Sequence, residues 1–288
     1  MKGFHGTKVL TRLHLKEMFL TPAFFIAAAI STVFGYLPVR GFVNSIGSQG
    51  FNPSLSPMFA NITASLESLF SEVLVDTLFA QGPFLFALYC AYIPMLLYIC
   101  ASSIITYHFQ RDVGAIELVR FGPVRSRTYL LSLFLKDLVS IIVYIAYLTI
   151  TFFIISRLNN LLLGPAFIQS VCVLAVVSVL ICAYARLAAS ATSSGIGSLS
   201  LFLIVMISFA IVHVGSYTVI HDYIRNVSTI LSWIVRWFSP FYFVTSVQTG
   251  LEIQSFWMVV AGILGILVVT ALVGFVAIWT ERHKETRT

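Results

Sequence analysis

Charge is scarce in this sequence. Asp, Glu, Lys and Arg make up 10% of its 288 residues, where a soluble domain typically carries about 25%. No stretch is polar enough to fold as a domain in water, so lipid must solvate most of the surface. Catalytic signatures are missing as well. HExxH and GxSxG do not occur, and Gly-Lys is absent even as a dipeptide, which excludes ATP binding through a Walker A loop. The four cysteines, Cys90, Cys100, Cys172 and Cys182, have no CxxC spacing. Neither a zinc site nor a thioredoxin-like pair is expected, and each reads as a small buried hydrophobe. His5, His14, His108, His213, His221 and His283 are scattered without ligand spacing. No internal repeat is present, nor the paired broken-helix halves that mark many secondary carriers. The expectation is a chain that is not an enzyme and holds no metal or cofactor of its own. Energy for any work must come from a partner, a gradient, or nothing.

What is abundant is apolar: 59% of the residues. A bilayer core of roughly 30 Å needs about 20 apolar residues in a helix. Six runs qualify, at about 21–39, 83–109, 138–156, 167–184, 196–220 and 257–279. Pro94 is placed to kink the second. The 1–20 stretch is basic and mixed, and the run after it is long enough to span rather than to serve as a cleavable leader. The expected fold is an all-α integral membrane protein, a single domain over 1–288 with six transmembrane helices.

The eleven acids all lie outside these six runs, and no Lys or Arg sits in the middle of one. Ion-coupled carriers usually bury an ionisable group. Apart from cysteines and tyrosines, only His213 is titratable well inside a run, and it reads as a packing residue. The net charge of +6 lies between the runs. There it signals orientation and lipid headgroups rather than nucleic acid. Thirteen Lys and Arg fall in 1–20, in 110–137, at Arg186 and in the tail; four (Arg40, Arg157, Arg225 and Arg236) fall on the other side. The positive-inside rule then puts both termini in the cytoplasm.

Three segments outside the spans carry pattern. Lys8, Arg12 and Lys16 recur every four residues beside Val9, Leu13 and Leu20, as in an interfacial helix on the cytoplasmic leaflet or, more simply, a basic tail. Phe59, Ile62, Leu66, Leu69, Val73 and Leu78 predict an external amphipathic helix. Between spans five and six, Ile224, Val227, Leu231, Ile234 and Phe238 form one short apolar face. Ser239-Pro240 breaks it, and 241–251 follows. Neither half is long enough to cross, which suggests an external re-entrant pair, or two interfacial helices lying flat. Asn61 and Asn226 head glycosylation sequons on the external side.

The loop between spans two and three, 108–137, holds the most specific pattern. Asp112 suits the first turn of a short helix, Ile116 and Val119 give it an apolar patch beside Glu117 and Arg120, and Gly122-Pro123 ends it. A capped helix of this kind can dock in a groove of a cytoplasmic protein; an ordinary basic loop is the plainer alternative.

The run resembles the conserved loop of ABC transporter permeases of type 2. That loop reads approximately E-R-E-x-G-T-x-x-x-L, then P-x-S-R, then a Lys near the next span. Arg111, Gly114, Pro123, Ser126, Arg127 and Lys136 match. Asp112 stands for the second Glu, Gln110 for the first and Ala115 for the Thr, and Arg125 is an extra residue before Ser126. The order of elements is also similar: a basic helix before span one, six spans, this loop, and a Pro-aromatic stretch, here 237–243, in a re-entrant pair.

The resemblance implies a transmembrane permease subunit of an exporter, in the plasma membrane or bacterial inner membrane. A separate cytoplasmic P-loop ATPase would hold the ATP and Mg. Gln110, Arg111, Asp112, Gly114, Glu117, Arg120, Pro123 and Arg127 would form the coupling helix on which it docks. A second permease chain would complete a homo- or heterodimer. The pathway between the two would be lined from spans two and five, with Tyr89, Tyr92, Ser208 and Tyr217 as possible contributors. Uncharged, aromatic-rich spans suit an apolar or amphiphilic cargo. A passive channel, an ion-coupled carrier and a non-transporting structural subunit on the same scaffold are the alternatives.

Overall fold

The computed structural model describes residues 2–49, 83–114, 126–215 and 237–285. The expected external helix near Phe59 to Leu78, Glu117, Arg120 and Pro123, Tyr217, and residues 224–236 of the re-entrant pair lie outside these. Among the described residues the fold is all helical: α1 (Lys2–Leu20), α2 (Pro22–Gln49), α3 (Pro83–Asp112), α4 (Ser126–Leu158), α5 (Pro165–Ala191), α6 (Gly195–Gly215), α7 (Pro240–Glu252) and α8 (Phe256–Glu285).

Six of these helices, α2 to α6 and α8, are long and apolar enough to span a bilayer. Their outward faces carry Ile142, Ile150 and Phe153 on α4, Ile204, Ile207 and Ile211 on α6, and Leu264, Leu267 and Phe275 on α8, all exposed. Water would not tolerate contiguous apolar surface of that extent, and hydrocarbon does. The chain is a multi-pass membrane protein.

α3 and α5 form the centre. α5 touches α3, α4, α6, α7 and α8, while α2 packs along α3 and α1 lies against α4. Small residues set the closest approach: a Cβ at Gly35 of α2 would stand 2.7 Å from Ala91 Cβ and 2.8 Å from the Ala87 carbonyl of α3. Without a hydrophobic drive between helices in lipid, such close backbone contact supplies the packing. Aromatics fill the interior. Tyr92 shares a hydroxyl hydrogen bond with Ser178, and its ring stacks on Tyr144 at 6.4 Å.

Long-range contacts put α1, the last turns of α3, α5 and α8, and the first turns of α4 and α6 at one end of the bundle. Thr11 Oγ1 donates to the Ser132 carbonyl (3.4 Å), Tyr107 to Glu281 (2.7 Å) and Thr280 to Ser190 (3.0 Å). His108 Nε2 pairs with Ser198 at 2.6 Å. Residues 192–194 alone join α5 to α6, and Ser194 Oγ caps α6 by accepting from the Gly197 N–H.

α7 is short and internal to this frame. Ser239 is extended and Pro240 opens the helix, where a proline needs no N–H partner. It runs antiparallel to the first half of α8: Gly250 faces Met258 and Val259, Val247 faces Gly262, and Phe243 faces Gly265. Gly265 lies nine residues along α8, about 14 Å at the helical rise. Ser239 is four residues beyond Phe243, so α7 begins about 20 Å along the bundle from the start of α8. The Tyr184 hydroxyl of α5 donates to the Phe238 carbonyl at 2.7 Å and fixes that deep end.

The helices overrun the apolar runs. The third was expected to begin at 138, yet α4 starts twelve residues earlier, at Ser126. α5 continues past Tyr184 through Arg186 to Ala191. The reading that all eleven acids lie outside the spans is therefore corrected: Asp112 and Glu281 fall at the ends of the second and sixth spanning helices and Asp137 within the third, and the bases Lys136 and Arg186 lie within the third and fourth. Hydropathy detects the apolar middle of a span. A charged end stays helical because its backbone groups must bond and its side chains find partners inside. The loop expected over 108–137 shrinks accordingly, with 108–112 completing α3 and 126–137 opening α4.

Candidate functional site at the α1 end

Four side chains from three helices meet in the interior: Ser103 of α3, Lys136 and Asp137 of α4, and Arg186 of α5. Asp137 is 0% exposed, and the other three are also buried. Ser103 Oγ donates to Asp137 Oδ2 at 2.9 Å and accepts from Lys136 Nζ at 3.2 Å. Arg186 Nη2 donates to both Ser103 Oγ and Asp137 Oδ2. Lys136 Nζ lies 3.1 Å from Asp137 Oδ1, an ion pair without hydrogen-bond geometry. Two cations therefore share one carboxylate. Arg186 Nε and Nη1, also buried, find no hydrogen-bond partner among the described residues.

The sequence sets this geometry. Residues i and i+1 on a helix normally diverge, but Lys has a four-carbon stem that curls its ammonium back over the neighbouring carboxylate. Arg186 sits in the run Ala183-Tyr184-Ala185-Arg186-Leu187-Ala188-Ala189, where small neighbours let the guanidinium reach α3 and α4.

Around the cluster lies a polar layer. His14 of α1 is buried, edge-on to Tyr129 (5.7 Å), with Glu17 Oε2 3.5 Å from its Nδ1. Burial lowers the His14 pKa from the ordinary 6.5, and Lys136 and Arg186 push the same way against an opposing pull from Glu17. Tyr129 donates to Gln110 Oε1. Among the described residues no group of three or more His, Cys, Asp or Glu could hold a metal ion.

The residues singled out in the sequence are dispersed. Lys8, Arg12 and Lys16 form an exposed stripe on α1, next to exposed Val9, Leu13 and Leu20, while Thr7, His14 and Met18 face the bundle. Gln110, Arg111 and Asp112 make the last turn of α3, and Gly114 follows at φ +75°, its N–H donating to the Arg111 carbonyl at 3.0 Å. Arg127 lies in the first turn of α4. Tyr92 is enclosed in the core, whereas Tyr89 accepts from Gln248 Nε2 of α7 at 2.6 Å. Ser208 is exposed on α6, its hydroxyl donating to the Ile204 carbonyl. Tyr89 and Tyr92 lie three residues apart on α3, while Ser208 is on α6.

Sequence reasoning used Asp137 and Arg186 only for charge counting. The available signal was local: an arginine flanked on both sides by small and apolar residues has no water to face, and an acid abutting a span next to a lysine is a ready pair. Comparison with protein-family models, with curated proteins and with solved structures returns no match.

Proposed function

We propose that this chain is the transmembrane permease subunit of an ATP-driven ABC exporter. A separate cytoplasmic P-loop ATPase carrying ATP and Mg drives it through the segment 110–127. A second permease chain, identical or related, completes the unit in the plasma membrane or bacterial inner membrane, with both termini cytoplasmic. The observation that carries this reading is where the motif-bearing segment leaves the bundle. Arg111 and Asp112 end α3, Gly114 turns the chain away, and α4 returns at Ser126, all at the end that holds the basic α1. The thirteen-to-four bias of bases supports a cytoplasmic placement of that end. Further support comes from α7, whose start about 20 Å along the bundle suits the returning half of a re-entrant pair entered from outside.

Purification from native membranes under mild detergent tests the reading. A P-loop ATPase is expected in the complex, and Gly114→Pro or Glu117→Lys should abolish its stimulation by cargo while the permease still inserts. Recovery of the chain with no ATPase, across several detergents, overturns it.

The buried charges favour one competitor, an ion-coupled carrier, since such groups often mark ion paths. In that case transport would follow the proton or sodium gradient and persist without ATP. The sharing of one carboxylate by two cations suits a helix clamp, because Asp137 of α4 is tied to α5 through Arg186 and to α3 through Ser103.

A further inference from the structure

Two cations on one buried acid is more charge than a clamp needs. A one-to-one pair would hold α4 to α5, and a second buried cation adds a desolvation cost without a second acid to offset it. Arg186 also leaves three of its five N–H donors, on Nε and Nη1, unmatched among the described residues. The asymmetry lies in where the cations sit. Lys136 is on the same helix as Asp137 and travels with it, whereas Arg186 belongs to α5. Ser103 of α3 bonds all three partners, so it can stay on Asp137 whichever cation is present.

We propose that Lys136 and Arg186 alternate as the working counter-ion of Asp137, making these three positioning residues that let α5 part from α4 at the α1 end and return. In the joined state Arg186 bridges α5 to Asp137 and Ser103. In the parted state Lys136 alone neutralises Asp137, and Arg186 withdraws toward the bundle end, five residues away at Ala191, to satisfy its spare donors. A buried carboxylate stripped of every cation would be prohibitive. The resident lysine removes that barrier, and discrete pairings of this kind give a bundle two states rather than a continuum. The exchange depends on the transporter reading only for what drives α4.

The test uses the full chain in lipid nanodiscs. Spin labels are placed at Leu131→Cys on α4 and Ala191→Cys on α5, both exposed near this end. Cys90, Cys100, Cys172 and Cys182 are replaced by alanine. Distances come from pulsed electron resonance, with a melting curve for each variant. Lys136→Met should remove the longer-distance population and melt no lower than its parent, because the joined state keeps a one-to-one pair. Arg186→Met should move the distribution outward, on the order of 5 Å, and Lys136→Arg should restore the parental distribution. The proposal is overturned by unchanged distributions in both methionine variants, by a Lys136→Met chain that fails to fold, or by equal losses of melting temperature in Lys136→Met and Arg186→Met. No ATPase enters the measurement, so this result and the recovery of a partner subunit stand or fall separately.

Discussion

The two ends of the bundle are built by opposite chemistry. At the α1 end, helices are joined by charge and hydroxyl: Asp137 with Lys136 and Arg186, Tyr107 with Glu281, His108 with Ser198. At the far end, α7 nests on α8 through Gly250, Gly262 and Gly265, beside an apolar groove of about 440 Å³ whose lining has Gln169 as its one polar side chain. Close van der Waals packing has a single best fit and resists sliding. Ionic contacts permit alternative pairings of nearly equal quality. The contrast suits a rigid far end and, on the proposed counter-ion exchange, a rearranging α1 end.

Asp137→Asn should produce the largest break in that contrast. It leaves Lys136 and Arg186 buried without an acid, a loss of about 3–5 kcal/mol, read as a steep fall in melting temperature and in monodisperse yield. Adding Arg186→Met to it should recover part of the loss, since one unpaired cation is removed. If Asp137→Asn melts with the parent, the polar end contributes nothing to holding the helices.

Gly35→Val tests close packing away from the charges. The new side chain meets the Ala87 carbonyl, which is backbone and cannot swing aside. Overpacking should cost about 1–3 kcal/mol, again as a lowered melting temperature. Gly265→Ala should cost less, because the obstruction there is the ring edge of Phe243.

A smaller effect is expected from pH. His14 is held neutral by burial and by Lys136 and Arg186. The unfolded chain therefore binds a proton more readily than the folded one, and stability rises with pH across that window. It should be complete above about 6.5 and decline as pH falls below it, toward the lowered folded value. Glu17, 3.5 Å from the ring, limits the loss. His14→Phe should flatten a series of melting curves from pH 7.5 to about 5; an unchanged slope would remove His14 as the cause.

Tyr92→Phe should have the least effect, about 1 kcal/mol. Ser178 still donates to the Leu174 carbonyl at 2.5 Å once the tyrosine hydroxyl is gone.

The spans were legible because a bilayer imposes length and apolarity on contiguous residues. Each of the six expected runs overlaps a spanning helix. The ends of the spans were not legible, since a helix such as α4 runs on through Lys136 and Asp137 for backbone reasons that hydropathy does not register. The ionic cluster was hidden for a related reason. Its members lie at positions 103, 136, 137 and 186, and only tertiary packing joins them. The Ser239-Pro240 interruption could be read locally, because proline constrains its own neighbourhood. The depth at which it sits required the register of glycines in α8.

The brevity of 192–194 has a mechanical consequence. Three residues reach at most about 11 Å even when fully drawn out, so the tail of α5 and the head of α6 are tethered like the legs of a hairpin. Any excursion of Arg186 must drag Gly195 along, and a flexible insert spliced between Thr192 and Ser194 would let the two legs swing independently.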